Sequence, residues 1–296
     1  MIPLTEQENP RSRDIDRMSV LEAVKLINDE DQKVSQAIGE VLPQIAQTIE
    51  RIVPRLKKGG RLFYIGTGTS GRLGVLDASE IPPTFGVSGE MIQGIIAGGH
   101  KALYQATETS EDDGAAGSEE LEKRDLKAGD VVIGIAASGR TPFTVEAVRF
   151  ARELGCFTVG ITSVPDSPIT RAAEISIVPE TGPEVITGST RLKAGTAQKM
   201  ILNMISTVVM IGLGYVRGNR MTNVKPGNAK LRERTLRILK AETGLDEKAA
   251  RDLLGRAEGD LRVALVMRGA NVDQKTAIAA LEDSNFVIER AIASLI

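Results

Sequence analysis

The stretch Arg61-Leu-Phe-Tyr-Ile-Gly-Thr-Gly-Thr-Ser-Gly-Arg-Leu-Gly-Val-Leu-Asp-Ala-Ser-Glu80 decides the fold. It opens on an apolar run, Leu62 to Ile65, with the length and composition of a strand. Gly66-Thr67-Gly68-Thr69-Ser70-Gly71 follows, three glycines and three hydroxyls in six residues. A helical segment comes next, with Leu73 and Leu76 spaced for one face. Strand, glycine loop and helix N-terminus together form an anion site, because unpaired backbone N–H groups converge there with the positive end of the helix dipole. The same helix then delivers a carboxylate, Glu80.

The spacing Gly66-x-Gly68-x-x-Gly71 also matches a dinucleotide fingerprint. That motif asks for an acidic residue at the end of the next strand to hold a ribose. The next strand-like run, Met91 to Ile96, ends in Ala97-Gly98-Gly99-His100, with no acid. Thr67, Thr69 and Ser70 instead offer donors suited to the several oxygens of a phosphate monoester.

Working outward, strands are expected at Leu62–Ile65, Met91–Ala97, Val131–Ala136, Phe157–Thr162 and Ile175–Val178. Helices are expected between them at Arg72–Ser79, within Glu111–Arg124, at Thr144–Leu154 and near Asp166–Ala173. Near-continuous apolar strands with helical crossovers predict a parallel sheet covered on both faces, an α/β fold whose ligands bind beyond the strands' carboxyl ends. A second loop, Gly134-Ile-Ala-Ala-Ser138-Gly139-Arg140-Thr141-Pro142, stands at another such end. Two hydroxyl-bearing loops of this kind share a plausible target, a phosphate carrying a polar body. Thr187-Gly188-Ser189-Thr190 with Lys193 close behind is a third donor cluster; a plain helix cap with a solvated lysine accounts for it equally well.

Toward the N-terminus, residues 1–18 read as an extended arm. Ser19 caps a helix through Ile27 that Asp29 to Asp31 break. A helical stripe from Ile38 to Leu56 follows, bent or interrupted by Pro43 and Pro54. Met200 to Val216 is apolar over 17 residues, short for a bilayer span, and reads as a buried or subunit-interface helix. After a linker at Lys225-Pro226-Gly227-Asn228, short helices are expected at Ala229–Glu242, Glu247–Arg256, Leu261–Met267, Asp273–Leu281 and Asn285–Leu295. The expected organisation is therefore an N-terminal arm with helices packing on the next domain over 1–60, a sheet domain carrying the hydroxyl loops over 61–224 and a small all-helical domain over 225–296.

Composition narrows the chemistry. Thirty-seven basic residues against 39 acidic ones leave a formal charge of −2, and aromatics are 3 % with no Trp. Neither a basic excess for a nucleic-acid backbone nor stacking platforms for bases are present. One Cys, Cys156, and one His, His100, argue against a disulfide framework and a catalytic zinc. His100, behind two glycines, reads as a surface-loop residue. The N-terminus Met-Ile-Pro-Leu-Thr-Glu-Gln-Glu lacks the charged and apolar regions of a secretory signal, so a cytoplasmic setting without membrane contact is expected.

The chain resembles the N-acetylmuramic acid 6-phosphate etherases, a branch of the sugar isomerase (SIS) domain family. The resemblance runs over nearly the whole length. It begins at Thr5-Glu6…Asn9-Pro10 and continues through Ile27-Asn-Asp-Glu-Asp31. It is strongest at Gly68-Thr-Ser-Gly-Arg-Leu-Gly74 with Asp77-Ala-Ser-Glu80-Ile-Pro-Pro-Thr, and recurs at Gly134 to Pro142 and Thr187 to Lys199. It implies a five-stranded parallel three-layer SIS sandwich, a homodimer and a phosphosugar substrate, with no cofactor and no metal. It also implies cleavage of the D-lactyl ether at C3, leaving N-acetylglucosamine 6-phosphate and D-lactate. The family's two glutamates fall on Glu80 and Glu111. The second motif departs from the family pattern at Thr109-Ser110, where Gly-Ala is common, so Glu108 and Asp112 stand as neighbouring candidates. The open-chain sugar has an aldehyde that acidifies C2–H, with the C3 ether oxygen as a β-leaving group, so one carboxylate and one carboxylic acid suffice. Glu80 is assigned as the acid and Glu111 as the base; Thr69, Ser70, Ser138, Gly139, Thr141, Ser189 and Thr190 are assigned as substrate contacts. A non-catalytic phosphosugar-binding regulator and a phosphosugar aldose–ketose isomerase are the alternatives.

Overall fold

The computed structural model describes residues 2–105, 111–222 and 229–296; the expected linker at 225–228 and Glu108 lie outside them. The chain forms two compact units, Met1–Ser79 with Gly89–Thr207, and Glu80–Ser88 with Val208–Ile296.

In the first unit, the N-terminal arm is not extended. It makes single 3-10 turns at Leu4–Glu6, Pro10–Ser12 and Ile15–Arg17, and it buries Thr5, Asn9 and Ser12. Helix α1 covers Val20–Gly39, opened by the expected Ser19 cap, whose hydroxyl accepts from Glu22 N while Glu22 reaches back to the Ser19 backbone. The expected break at Asp29–Asp31 does not occur. Asp and Asn cost a helix only a few tenths of a kcal/mol each, and Glu30 falls on the buried face with Leu26, Val34 and Ile38. Helix α2, Leu42–Lys57, carries Pro43 in its first turn, where the missing N–H is harmless, so Pro43 starts a helix rather than bending one.

The sheet follows as expected: β1 Leu62–Gly66, β2 Ile92–Ile96, β3 Val131–Ile135, β4 Phe157–Ile161 and β5 Ile175–Ile177. All pairings are parallel, in the order β2-β1-β3-β4-β5. Between them run α3 Gly68–Phe85, α4 Gly114–Glu122, α5 Pro142–Glu153 and α6 Pro168–Ala172. Alternation along the strands sorts these helices into two layers. Phe63, Ile65 and Val132 point to the face that packs Leu121 of α4 and Phe143, Ala147 and Ala151 of α5. Tyr64 and Ile135 point to the other, where Gly74 lets α3 come close: a Cβ there would lie 3.0 Å from Tyr64 Cβ and 3.3 Å from Ile135 Cδ1. Arg51 and Arg55 of α2 stack over Phe157 at 4.0 and 5.0 Å from its ring centre. Winding reverses between β1 and β3, and a ligand crevice is expected at their carboxyl ends.

Helix α7, Lys193–Leu213, begins earlier and ends sooner than the apolar run suggests. Gly214 at φ +93° closes it, and Val216 belongs to a short hairpin, β6 Val216–Arg217 with β7 Arg220–Met221. The helix has the length and apolarity of a membrane span. Ala194, Ala197, Ile201, Leu202 and Ile205 are buried in the protein, whereas Val208 and Ile211 are exposed, so it is not covered on all sides. The second unit adds α8 Ala229–Thr243, α9 Glu247–Arg256, α10 Leu261–Ala270, α11 Gln274–Asp283 and α12 Ile288–Ala293. Asp246, Asp260 and Asp273 cap three of these, and Leu239, Leu253, Leu261, Val266, Leu281 and Ile288 share one apolar core.

Candidate functional site

Both glycine-hydroxyl loops stand at the switch point, one after β1 and the other after β3. The first becomes helix almost at once: Gly71 N donates to Thr67 O at 2.9 Å, so Thr69 and Ser70 lie in the opening turn of α3. The first N–H groups of a helix have no partner within it and face any anion placed there. Ser70 Oγ donates to Gln198 Oε1 of α7 at 2.9 Å. Thr69 meets α7 as well, its methyl 3.4 Å from where a Cβ on Gly195 would stand, with Thr190 O 3.5 Å from the same point.

Glu111 belongs to this cluster. A Cβ on Gly68 would come 3.2 Å from Glu111 Oε1, so the carboxylate stands against the first turn of α3. Its backbone is fixed from the other side, Phe143 N of α5 donating to Glu111 O at 3.2 Å. Asp112, next in the chain, is exposed.

The second loop is tied down along its length. Ser163 N and Thr162 Oγ1 both donate to Ala137 O, at 3.0 and 3.1 Å, and Ile169 N donates to Gly139 O at 3.0 Å. Gly139 has φ +67° and packs directly on Ser167, so a side chain there would meet both strain and collision. Ser138 and Thr141 remain half-buried at the rim. Thr141 caps α5 through its backbone, with no side-chain cap bond.

The third cluster differs from either expectation. The N-terminus of α7 is occupied by Glu184, whose two oxygens accept from Lys193 N and Ala194 N at 3.0 Å each. Lys193 is not solvated: its Nζ donates to Glu30 Oε2 at 2.8 Å, with both side chains 1 % exposed. Asn9 Nδ2 donates to the same oxygen at 3.0 Å and to Pro183 O at 3.1 Å, while Arg11 and Lys33 hold the other oxygen. Burial works against Glu30's charge, but Lys193, Lys33 and Asn9 outweigh it and hold the carboxyl down at about 2. Ser189 and Thr190 stay half-buried beside this assembly.

Farther along α3, Asp77 is buried and pins the helix to α7, its Oδ1 accepting from Asn203 Nδ2 at 2.7 Å and Ser206 Oγ at 3.1 Å. Burial raises its pKa, and burial followed by the charge of Asp77 raises that of Tyr64. One turn on, Glu80 is exposed. Cys156 is buried, its thiol pushed up to about 11 mainly by desolvation. His100 is exposed, as expected. Sequence reasoning passed over Gln198, Asp77, Glu184 and the Glu30–Lys193 pair. Their one common signal is a polar residue at a core position of an amphipathic helix or its flank.

Two known families match overlapping parts of the chain: the glucokinase regulatory protein N-terminal SIS domain over residues 44–152 and the SIS domain over 115–208. An N-acetylmuramic acid 6-phosphate etherase of Symbiobacterium thermophilum is 51 % identical over 91 % of this chain and 89 % of its own. That of Pectobacterium atrosepticum is 48 % identical over 98 % and 95 %. N-acetylmuramic acid 6-phosphate etherase 1 of Enterococcus faecalis is 49 % identical over 98 % and 96 %. Among solved structures, a Bacteroides fragilis protein assigned as a phosphosugar isomerase involved in capsule formation superposes with TM-score 0.51 at 21 % identity. It covers 71 % of this chain and 99 % of its own.

Proposed function

We propose that this chain, which belongs to the N-acetylmuramic acid 6-phosphate etherase family, splits the D-lactyl ether of N-acetylmuramic acid 6-phosphate into N-acetylglucosamine 6-phosphate and D-lactate. The observation that carries the reading is the meeting of both hydroxyl loops and Glu111 at the β1/β3 switch point. Thr69, Ser70, Ser138 and Thr141 bind the phosphate, with the first N–H groups of α3 supplying positive potential. Gly139 shapes the second loop, and Ser189 and Thr190 hold the sugar body. Glu111 takes the C2 proton of the open-chain aldehyde; the electron pair forms the C2–C3 double bond as the C3–O bond breaks. Glu80 protonates the departing lactate oxygen. Water then returns a hydroxyl to C3 and a proton to C2. The two alternatives, regulator and isomerase, lose ground because the relatives carrying the etherase name match this chain nearly end to end.

The same reading takes the enzyme as a homodimer in which each site draws Glu80 from one copy and Glu111 from the other: Glu111 stands against Gly68, whereas Glu80 is exposed. Val20, Leu21 and Val24 of α1, 83 %, 62 % and 57 % exposed, provide an apolar face for such an assembly. A phosphorylated sugar substrate suits a cytoplasmic enzyme.

Release of D-lactate from N-acetylmuramic acid 6-phosphate tests the activity, and proton NMR in D2O separates the roles. Glu80→Gln should keep C2 exchange while release falls about 10²–10⁴-fold; Glu111→Gln should lose both. Mixing the two inactive variants under conditions that exchange subunits should restore activity, because each mixed dimer regains one intact pair. No release by the parent enzyme would sink the function, and no recovery on mixing would sink the shared site.

A further inference from the structure

Gln198 is 1 % exposed and sits in the second turn of α7. Its Oε1 accepts the hydroxyl proton of Ser70 at 2.9 Å. Its Nε2 is buried and has no hydrogen-bond partner among the described residues. An amide N–H buried without a partner costs about 1–3 kcal/mol, so the arrangement is held at some expense.

The cost has a chemical meaning at this position. A serine hydroxyl has one proton to give, and a phosphate dianion only accepts. While Ser70 donates to Gln198 it has nothing to donate to a phosphate. If Ser70 turned its proton to the phosphate with the amide fixed, Gln198 Oε1 would face the Ser70 lone pairs. Rotating the amide by 180° resolves both problems. Nε2 then donates to Ser70 Oγ, and the Ser70 hydroxyl donates its hydrogen bond to the phosphate, polarised by the donor behind it.

We infer that Gln198 is a positioning residue for phosphate capture, whose amide reverses to turn Ser70 from a satisfied donor into a donor toward the ligand. The inference rests on the proposed reading of the first loop as a phosphosugar cradle. It places a determinant of phosphate affinity on α7, 128 residues from the loop it serves.

Glutamate has the shape of glutamine but, when ionised, can only accept. Gln198→Glu therefore holds the Ser70 proton away from the ligand at high pH and behaves like glutamine once protonated. Binding of N-acetylglucosamine 6-phosphate, with unphosphorylated N-acetylglucosamine as control, is measured by calorimetry from pH 5 to 9. The parent is compared with Gln198→Glu, Gln198→Met, Ser70→Ala and the Ser70→Ala/Gln198→Glu double variant, all checked by circular dichroism. Gln198→Met and Ser70→Ala should each bind the phosphosugar about 10- to 100-fold more weakly, the range for a hydrogen bond to a charged group. The ratio of parent to Gln198→Glu affinity should be of that size at pH 9 and shrink toward unity as pH falls. In the Ser70→Ala background, Gln198→Glu should add less than about threefold, since the relay is already cut. A parent-to-Gln198→Glu ratio that is flat with pH, or full additivity in the double variant, would overturn the inference. A parent protein that binds the phosphosugar no better than the unphosphorylated sugar would overturn the cradle and the inference together.

Discussion

Replacing Glu30 by Gln tests whether the arm, α1 and α7 are joined by a charge pair out of water. The substitution keeps the shape and removes one charge, leaving the Lys193 ammonium 1 % exposed without its ion-pair partner. Breaking a buried pair from one side costs about 3–5 kcal/mol. The expected loss is thus about 3–5 kcal/mol, a large part of the 5–15 kcal/mol typical of a domain. Urea unfolding followed by far-UV ellipticity suits a chain without Trp. With a slope of about 1–3 kcal/mol per molar, the midpoint of the first unit should fall by at least about 1 M. Removing both charges, as Glu30→Gln with Lys193→Met, should recover most of the loss, because a neutral pair of similar volume has no stranded ion. A single variant within about 1 kcal/mol of the parent, or a double variant weaker than the single, would refute a buried, interdependent pair.

The same carboxyl sets an acid limit. Its folded pKa of about 2 lies below the ordinary 4.5, so its stabilisation is complete above pH 4.5 and is lost as pH falls toward 2. Full conversion of that shift gives about 3.4 kcal/mol; half-exposed Arg11 and Lys33 reduce this to about 2 kcal/mol. The stability gap between parent and Glu30→Gln should accordingly narrow between pH 4.5 and 2, and a constant gap would count against the pairing. Gly68→Ala puts a methyl 3.2 Å from Glu111 Oε1 at φ +49°. It should lower the turnover number more than tenfold while moving the melting temperature only a few degrees, since left-handed alanine costs about 1–2 kcal/mol; unchanged turnover would show that Glu111 works elsewhere. If the proposed homodimer forms through α1, Leu21→Asp with Val24→Asp should shift the sedimentation mass from two chains to one, and a mass of two chains in the variant would move the proposed interface off that face.

Much of the fold was legible because its causes are local. Buried parallel strands are apolar throughout, so Leu62–Gly66 and Val131–Ile135 stand out from their neighbours. Glycine and hydroxyl residues after an apolar strand mark a tight turn into a helix, which placed both loops at strand ends from the sequence. Ser19 with Glu22 announces a helix start by the bonds the two residues make to each other. Where local signals pointed the wrong way, a distant partner had changed their meaning. Asp29 to Asp31 look like a helix stop, yet Glu30 falls on the buried face of a continuous helix and pairs with Lys193, 163 residues on.

The site divides along the same line. Residue types singled out the two hydroxyl loops and the carboxylate of Glu80 as candidates for binding a phosphate, because hydroxyl, glycine and carboxylate roles are set by functional group, while Glu111 and the phosphosugar were implied by the family resemblance. Which groups meet was settled by packing: Glu111 against Gly68, Ser70 on Gln198, Glu184 over the start of α7, Asp77 under Asn203 and Ser206. Each of these contacts joins segments whose separation carries no periodic signal. The energy of such a contact comes from excluding water around both partners at once, a property of the folded volume that no single stretch of chain contains.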